Sequence, residues 1–443
     1  MQTVELIQAK LQGDSDFLRV QTHLSRFPVL FLGYSSLIDF PSTLDSLQLQ
    51  AQNALSANQS SHDFMNGIGQ VVDEPEASAF LADITRGYLI VYFIESRTFV
   101  RLSPVAKVLT RAIEAPTTEN VLRGSISSFV EEIETNIGML KKHAASDQLR
   151  VNSYLVGSVG RKQISLLYME GIAKPELIRS ITEKLESGLG REVQNLQQLS
   201  LLLGFTRWTL VSKFNSSELP QDALYGLNQG KVVIFLDRMP FALIIPSMLA
   251  DLFTVENDRN FPYIFMYLVR LLRAVGVLIN VIVPGLYVAL ISVNPDVLRI
   301  ELALSIAKSR SDVPYPAIVE TLLLLAILEL ILEASIRLPK SIGPTLTMVG
   351  GIILGQAVVS AKLVSNLLII ILAATTISSS TVVGFQNSIS IRIFKYLLLF
   401  LSAVYGVLGL LSGVVVICAY LASITSFGIP YAQLLRPKGD SRG

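Results

Sequence analysis

The stretch Pro316 to Ile336 reads PAIVETLLLLAILELILEASI, apolar almost throughout yet carrying Glu320, Glu329 and Glu333. A helix of about 20 residues crosses a hydrocarbon core of roughly 30 Å. A carboxylate near the middle of that core costs about 2.5–3.5 kcal/mol on the insertion scale. The chain tolerates this only where the carboxylate faces protein, a countercharge or water. The segment therefore reads as an interior helix of a membrane assembly, beside a polar path or a buried network, and not as a plain anchor. Glu329 and Glu333 are i,i+4 and share a helix face, whereas Glu320 lies about 180° round from Glu329, so the three cannot line one stripe. Glu320 follows Pro314 and Pro316 and fits helix-terminus stabilisation or an interfacial position. Glu329 and Glu333 fit either a polar pathway or gate, or a structural network between helices with Arg337 as a candidate partner.

Charge divides the chain in the same sense. Only 16% of the 443 residues are charged, against about 25% in ordinary soluble domains. Met1 to Pro262 holds 23 Lys and Arg against 28 Asp and Glu, and Tyr263 to Gly443 holds 13 against 7. The expected organisation is a soluble α/β amino-terminal domain over residues 1–262, an all-α transmembrane domain over 263–431 and a polar tail over 432–443. Met1 to Arg19 lacks the apolar core of a signal peptide, so the amino terminus is expected in the cytoplasm. The single cysteine, Cys418, excludes an internal disulfide and a cysteine metal site. His23, His62 and His143 are scattered without ligand spacing and read as surface positions.

In the first part, Phe27–Leu32, Tyr88–Ile94 and Ile164–Tyr168 are short apolar runs bounded by turn or charged residues, as buried strands are. Val232–Leu236 and Phe241–Ile245 flank Asp237-Arg238-Met239-Pro240 and read as a hairpin. Phe129, Ile133, Ile137 and Leu140 recur at helical spacing within an expected helix from Thr118 to His143. Ile164–Tyr168, Gly171 and Lys174 to Ser187 read as strand, turn and helix. The class is α/β in two lobes. Gln48 to Glu76 is polar and fits either a loop or a helix-rich insertion. Gly157-Ser158-Val159-Gly160-Arg161-Lys162 places glycines before a cation, but it precedes a strand, so a tight connection between lobes is favoured over a phosphate loop. No nucleophile–base pair, metal motif or cofactor signature occurs, so neither an enzyme nor a cofactor is expected.

The second part holds further apolar segments. Leu271–Ile291 contains Pro284 and Gly285, and Arg270 and Arg273 at its start are expected to snorkel to headgroups. Ile300-Leu302-Leu304-Ile306 alternates in character, which favours a strand or interfacial segment over a simple connection, with a short amphipathic helix as the alternative. Thr345 to Ile377 is crowded with Gly350, Gly351, Gly355, Ala357 and Ser360, and Lys362 makes it one broken span or two short ones. Gly351 and Gly355 form a Gly-xxx-Gly pair suited to close helix packing. Tyr396 to Ile424 is long enough to span. Four spans place Arg259, Arg270 and Arg273, then Arg337 and Lys340, then Arg436, Lys438 and Arg442 on the cytoplasmic side. Counting Lys362 as an exposed turn gives five and puts the tail outside.

Several stretches, in order, resemble one family: RGSISSFVEEIETNIGMLKK, RKQISLLYMEGIAKPELI, DRMPFALIIP, VPYPAIVETLLLLAILELILEASIRLPKSIG, VGGIILGQAVVSA and SFGIPY. Together they are similar to the A subunit of GerA-type spore germinant receptors, from about Ala115 to about Tyr431. The family's glutamate-bearing span matches at Glu320, Glu329 and Glu333, and its Arg-Leu-Pro at Arg337-Leu338-Pro339. The chain is a divergent member. Arg123-Gly124-Ser125 stands where the family usually has Arg-Gly-Pro, and Asp237-Arg238-Met239-Pro240 where it has Asp-Gly-Thr/Ser-Pro. Glu256-Asn257-Asp258-Arg259-Asn260-Phe261 is a reduced form of an acidic-Asp-aromatic-aromatic motif. The resemblance implies an integral protein of the inner spore membrane with a cytoplasmic amino-terminal domain. It also implies assembly with itself as a ring, proposed to be pentameric, that forms a nutrient-gated cation channel. A transporter-like B subunit and a lipoprotein C subunit are the implied partners, with membrane lipid and without nucleic acid. A secondary transporter using the carboxylates as cation sites, or a scaffold for other subunits, are the alternatives; no internal repeat in the membrane part supports the transporter.

Overall fold

The computed structural model describes residues 2–56, 60–72, 76–105, 127–339 and 342–433. The chain forms two compact units, Met1–Thr209 with Lys213–Ser247, and Leu210–Ser212 with Met248–Gly443.

The first unit is α/β with two lobes of the same element order. The first lobe runs α1 (Gln2–Leu11), β1 (Phe17–Leu24), β2 (Phe27–Tyr34), α2 (Phe40–Ser56), α3 (Ser61–Ile68), β3 (Gln70–Val72), α4 (Ala77–Thr85), β4 (Leu89–Phe93) and β5 (Thr98–Leu102). The second runs α5 (Ile133–Ala144), β6 (Leu149–Val156), β7 (Lys162–Met169), α6 (Pro175–Ser187), α7 (Leu196–Leu202), β8 (Asn215–Ser217), α8 (Pro220–Asn228), β9 (Val232–Leu236) and β10 (Ala242–Ile245). Each lobe holds an antiparallel five-stranded sheet, ordered β1-β2-β4-β5-β3 and β6-β7-β9-β10-β8. The expected strands and the β9–β10 hairpin are present. Every residue of β4 and of β9 is buried, which is why these runs are apolar without alternation: both sheet faces are covered.

Three local expectations change. The helix expected from Thr118 begins at Ile133; residues 106–126, including Arg123-Gly124-Ser125, lie outside the described residues. The polar stretch from Gln48 is largely helical, in α2 and α3, and Ser60 caps α3 by accepting from the Asp63 amide. The Gly157–Lys162 segment is the turn between β6 and β7 within one lobe, not a connection between lobes.

The lobes are joined by polar contacts. Lys141 of α5 is 3% exposed and lies 3.2 Å from Asp14 Oδ2 and 2.8 Å from Asp16 Oδ2. Its Nζ also stands 3.2 Å from the centre of the Tyr34 ring. Ser35 and Ser36 hydroxyls donate to the Asp16 carboxylate at 2.6 Å each, so the charges are buried with partners. Burial pushes the Asp14 carboxyl above its ordinary range, with Lys141 opposing. Gly138 passes so close to the Ser36 carbonyl that a Cβ there would stand 2.6 Å from its oxygen.

The second unit is helical. It contains α9 (Tyr263–Val288, continued to Val293 as a π-turn), α10 (Ile300–Arg310), α11 (Ala317–Arg337), α12 (Gly343–Ser360), α13 (Asn366–Ser379) and α14 (Phe385–Ser423). Ile300–Ile306 is helix and not strand. Its alternating apolar residues include strong helix formers, and among the described residues no strand pairs with them; Ile300 and Leu304 remain exposed.

Side-chain contacts set the direction of each helix. Tyr287 of α9 meets Glu320 of α11 and Ser365 at the start of α13. Gly276, earlier on α9, lies against Ser378 and Thr381 at the end of α13, so α13 runs antiparallel to α9. Gly343 lies against Ser335 and Leu338 at the end of α11, and Lys362, after α12, pairs with Asp312, before α11. Thus α12 turns back along α11. The Thr345–Ile377 segment is therefore two antiparallel helices, with Lys362 at the turn in a left-handed conformation (φ 54°).

α14 is also two pieces. Gly406 is non-helical (φ 61°, ψ −139°), and the chain reverses there. Phe394 and Tyr420 stack edge to face with ring centres 6.1 Å apart, where a straight helix would separate their Cα atoms by roughly 39 Å. A Cβ on Gly413 would collide with Leu398 and one on Gly409 with Leu401, so these glycines permit the close return. Residues 385–405 run parallel to α9 and 407–423 run back, giving six antiparallel legs: α9, α11, α12, α13 and the two arms of α14. Among the described residues three stretches are long and apolar enough to cross a membrane, Tyr263–Val293, Gly343–Ser360 and Gln386–Ser423.

Candidate functional site

The polar residues of the helical unit gather at two levels. At one, Glu320 in the first turn of α11 is 0% exposed and enclosed by protein. The Tyr287 hydroxyl donates to Glu320 Oε1 at 2.8 Å, and the Ser365 amide donates to Oε2 at 3.1 Å. With the Tyr287 proton committed to Glu320, the Ser365 hydroxyl donates to the Tyr287 oxygen at 2.9 Å. Arg310, at the end of α10, brings Nε to 3.1 Å from Oε1. That nitrogen lacks hydrogen-bond alignment, so the contact is an ion pair only. One carboxylate thus ties four helices, α9, α10, α11 and α13, at the end where α13 begins.

At the second level Glu329 is 24% exposed and faces the first arm of α14. Arg392 Nη1 donates to Oε2 at 2.9 Å, Lys395 Nζ stands 3.3 Å from Oε1, and the Tyr396 hydroxyl donates to Oε1 at 3.4 Å. Two cations against one carboxylate leave a net positive charge. Glu333, one turn on, does not join this cluster. Its side chain is 54% exposed and, among the described residues, pairs with Arg337 at 2.7 Å. The three glutamates are therefore spread over a buried tie, a half-buried cluster and a surface pair.

Arg392 and Lys395 were the partners that sequence reading missed. The signal was their i,i+3 spacing, which puts both on one face of a helix just before the apolar run. Arg270 and Arg273 also have protein partners. Arg273 holds Asp258 through both guanidinium nitrogens, Nη2 at 2.9 Å from Oδ1, and donates to the Phe253 carbonyl at 3.2 Å. Arg270 Nε lies 3.9 Å from Asp258 Oδ2. Both serve a neighbouring carboxylate because Asp258, in the segment before α9, is buried.

At the tip of α14, Asn294 Oδ1 accepts from the Val407 amide at 2.9 Å. It caps the second arm where Gly406 has broken the helix, and a Cβ on Gly406 would collide with it. On α12, Gly350, Gly351 and Gly355 meet nothing within 4 Å of a built Cβ; Met348, Ile352 and Ile353 are each more than half exposed.

Outside the helices, the Gly157–Lys162 turn has an anion already in place. Glu192 Oε1 accepts from the Ser158 amide at 2.9 Å, the Ser158 hydroxyl at 3.0 Å and the Val159 amide at 2.9 Å. These bonds, the Val159 amide foremost, hold the Glu192 carboxyl below its ordinary range. The turn binds its own side chain, as a phosphate loop would bind phosphate. His62 bonds to Asn66, and His143 donates to the Met139 carbonyl; among the described residues no group of three metal-ligating side chains gathers.

The family profile and the relatives found by sequence point to one family. The profile described as Bacillus/Clostridium GerA spore germination protein matches residues 5–441. The chain is similar to spore germination protein GerLA of Bacillus cereus, 32% identical over 327 residues, which cover 74% of this chain and 66% of GerLA. It is also similar to spore germination protein A1 of Bacillus subtilis (strain 168), 29% identical over 384 residues, 87% of this chain and 75% of that protein. The crystal structure of the amino-terminal domain of the A subunit of the Bacillus megaterium spore germinant receptor GerK3 aligns with 56% of this chain and 94% of its own, at 18% identity and a TM-score of 0.41. The chain belongs to the GerA family of spore germination proteins.

Proposed function

We propose that this chain is the channel-forming subunit of a nutrient-sensing germinant receptor in the inner spore membrane. Copies assemble as a ring around a cation path, a transporter-like subunit senses the nutrient, and a lipoprotein subunit completes the complex. The six helical legs cross the membrane, and their even number keeps the amino-terminal domain and the tail on one side, the cytoplasm.

The observation that carries the reading is α12. Eighteen residues of apolar helix carry bare glycines that meet no neighbour among the described residues. In a membrane, small residues serve close helix approach, so a second copy is the partner that face fits. Glu333 stands half exposed on α11, the helix beside α12, and a ring would repeat its carboxylate about the axis, whereas Glu329 is taken up by Arg392 and Lys395. Rings of acidic side chains attract cations and exclude anions.

The test is reconstitution of the purified chain in vesicles, with oligomer mass and cation flux measured on one preparation. Gly351→Leu with Gly355→Leu is expected to weaken association by about 1–3 kcal/mol through overpacking, lowering oligomer and flux together while membrane insertion persists. Full flux from a monomeric variant would refute the ring. An unchanged oligomer would remove α12 from the subunit interface.

A further inference from the structure

Trp208 is the chain's only tryptophan, and it is 88% exposed. It sits in a turn closed from Thr209 to Thr206: the Thr209 amide and hydroxyl donate to the Thr206 carbonyl at 3.3 and 3.1 Å. That turn puts Arg207 and Trp208 at its two corners. Tryptophan is an amphipathic ring, apolar in body with one N–H, and a fold gains nothing by leaving it wholly in water.

The chain just beyond Trp208 belongs to the helical unit. The Leu210 amide donates to the Tyr420 hydroxyl at 2.9 Å, and the Leu210 carbonyl accepts from the Ser390 hydroxyl. Val211 is buried in the cluster that contains Phe394, Leu398 and Ile417. Ser390 lies in the second turn of α14 and Tyr420 in its last, so Leu210 is fastened near the open end of the helical hairpin. Ser390 and Tyr420 stand near the ends of the apolar Gln386–Ser423 stretch, where a membrane-embedded hairpin meets the headgroups. Two residues of chain span at most about 7 Å, so covalent connection alone keeps Trp208 close to that level.

We propose that the Arg207-Trp208 turn is a membrane-surface anchor. The indole lies in the headgroup zone of the phospholipid bilayer and the guanidinium on lipid phosphate. Both residue types suit that zone: the indole prefers the polar–apolar boundary, and arginine is matched to phosphate oxygens. The anchor fixes the point beside the short excursion of Leu210–Ser212 into the helical unit. It rests on the reading of the helical unit as membrane-embedded.

The single tryptophan makes the test direct. The full chain is reconstituted, without other subunits, in phosphatidylcholine–phosphatidylglycerol vesicles whose acyl chains carry bromine at a shallow or a deep position. The expected result is blue-shifted emission, quenched more by shallow than by deep bromine and shielded from aqueous acrylamide. Protein that floats with the vesicles while its emission is untouched by bromine and open to acrylamide overturns the anchor alone. Shielding that appears only after other receptor subunits are added also overturns it and assigns the turn to a protein partner. Failure to float overturns the membrane reading and the anchor with it.

Discussion

At the scale of single residues, Glu329 and Glu333 look equivalent in sequence and are not equivalent in space. Both are glutamates on one helix face, but the face ends at the edge of a neighbouring helix. Glu329 meets Arg392 and Lys395 there, and Lys395 is only 7% exposed. Removing one partner of a buried pair strands the other charge, at a cost of about 3–5 kcal/mol. Partial exposure of Glu329 places the expected loss at about 2–3 kcal/mol by that rule. Glu329→Gln should therefore lower the unfolding temperature in detergent, and Lys395→Met in the same chain should restore part of it. Glu333→Gln disrupts an exposed i,i+4 pair and is expected to change stability by less than about 0.5 kcal/mol. Equal effects of the two single substitutions would contradict this arrangement.

At the scale of elements, the last apolar segment is the instructive case. Read along the sequence, Tyr396 to Ile424 is one long helix. Its hydropathy contains no interruption, since Gly406 is one glycine among Gly409 and Gly413. The break becomes visible only with Asn294, more than a hundred residues earlier, whose carboxamide satisfies the Val407 amide. A sharp reversal frees backbone donors, and in an apolar setting each must find a partner. The hairpin predicts that Phe394→Cys with Tyr420→Cys, in a Cys418→Ala background, forms an intramolecular disulfide under mild oxidation. A continuous helix would hold those positions roughly 39 Å apart and form none. The alternating residues at Ile300–Ile306 erred in the other direction. Alternation is evidence for a strand only when a sheet is present to accept it, and this unit offers α13 instead.

At the scale of the whole molecule, two repeats of architecture stand out. The lobes of the first unit share one order of helices and strands and one sheet order, although no sequence repeat announces it. The helical unit is built from six legs that alternate in direction. On the proposed reading all six cross the membrane, which returns the chain to its starting side. Cysteines introduced singly at Ser60 and Ser441, again with Cys418→Ala, should both resist a membrane-impermeant thiol reagent in sealed right-side-out vesicles and react after permeabilisation. Labelling of Ser441→Cys alone would require an odd number of crossings.

Local pattern fixed what depends on local chemistry. The strands, the β9–β10 hairpin, helix α6 after Gly171 and the helical character of the glutamate span all follow from residue type and spacing, because propensity and burial act on neighbours in the chain. The GerA motifs identified the family for the same reason. Tertiary structure decided which polar groups meet. Glu320 joins Tyr287, Ser365 and Arg310; Glu329 joins Arg392; Asp258 takes both Arg270 and Arg273; and Glu192 fills the turn at Ser158. These partnerships span from ten to sixty-three residues. The cost of an unpaired buried charge demands that a partner exist, but it does not say where along the sequence the fold will find it.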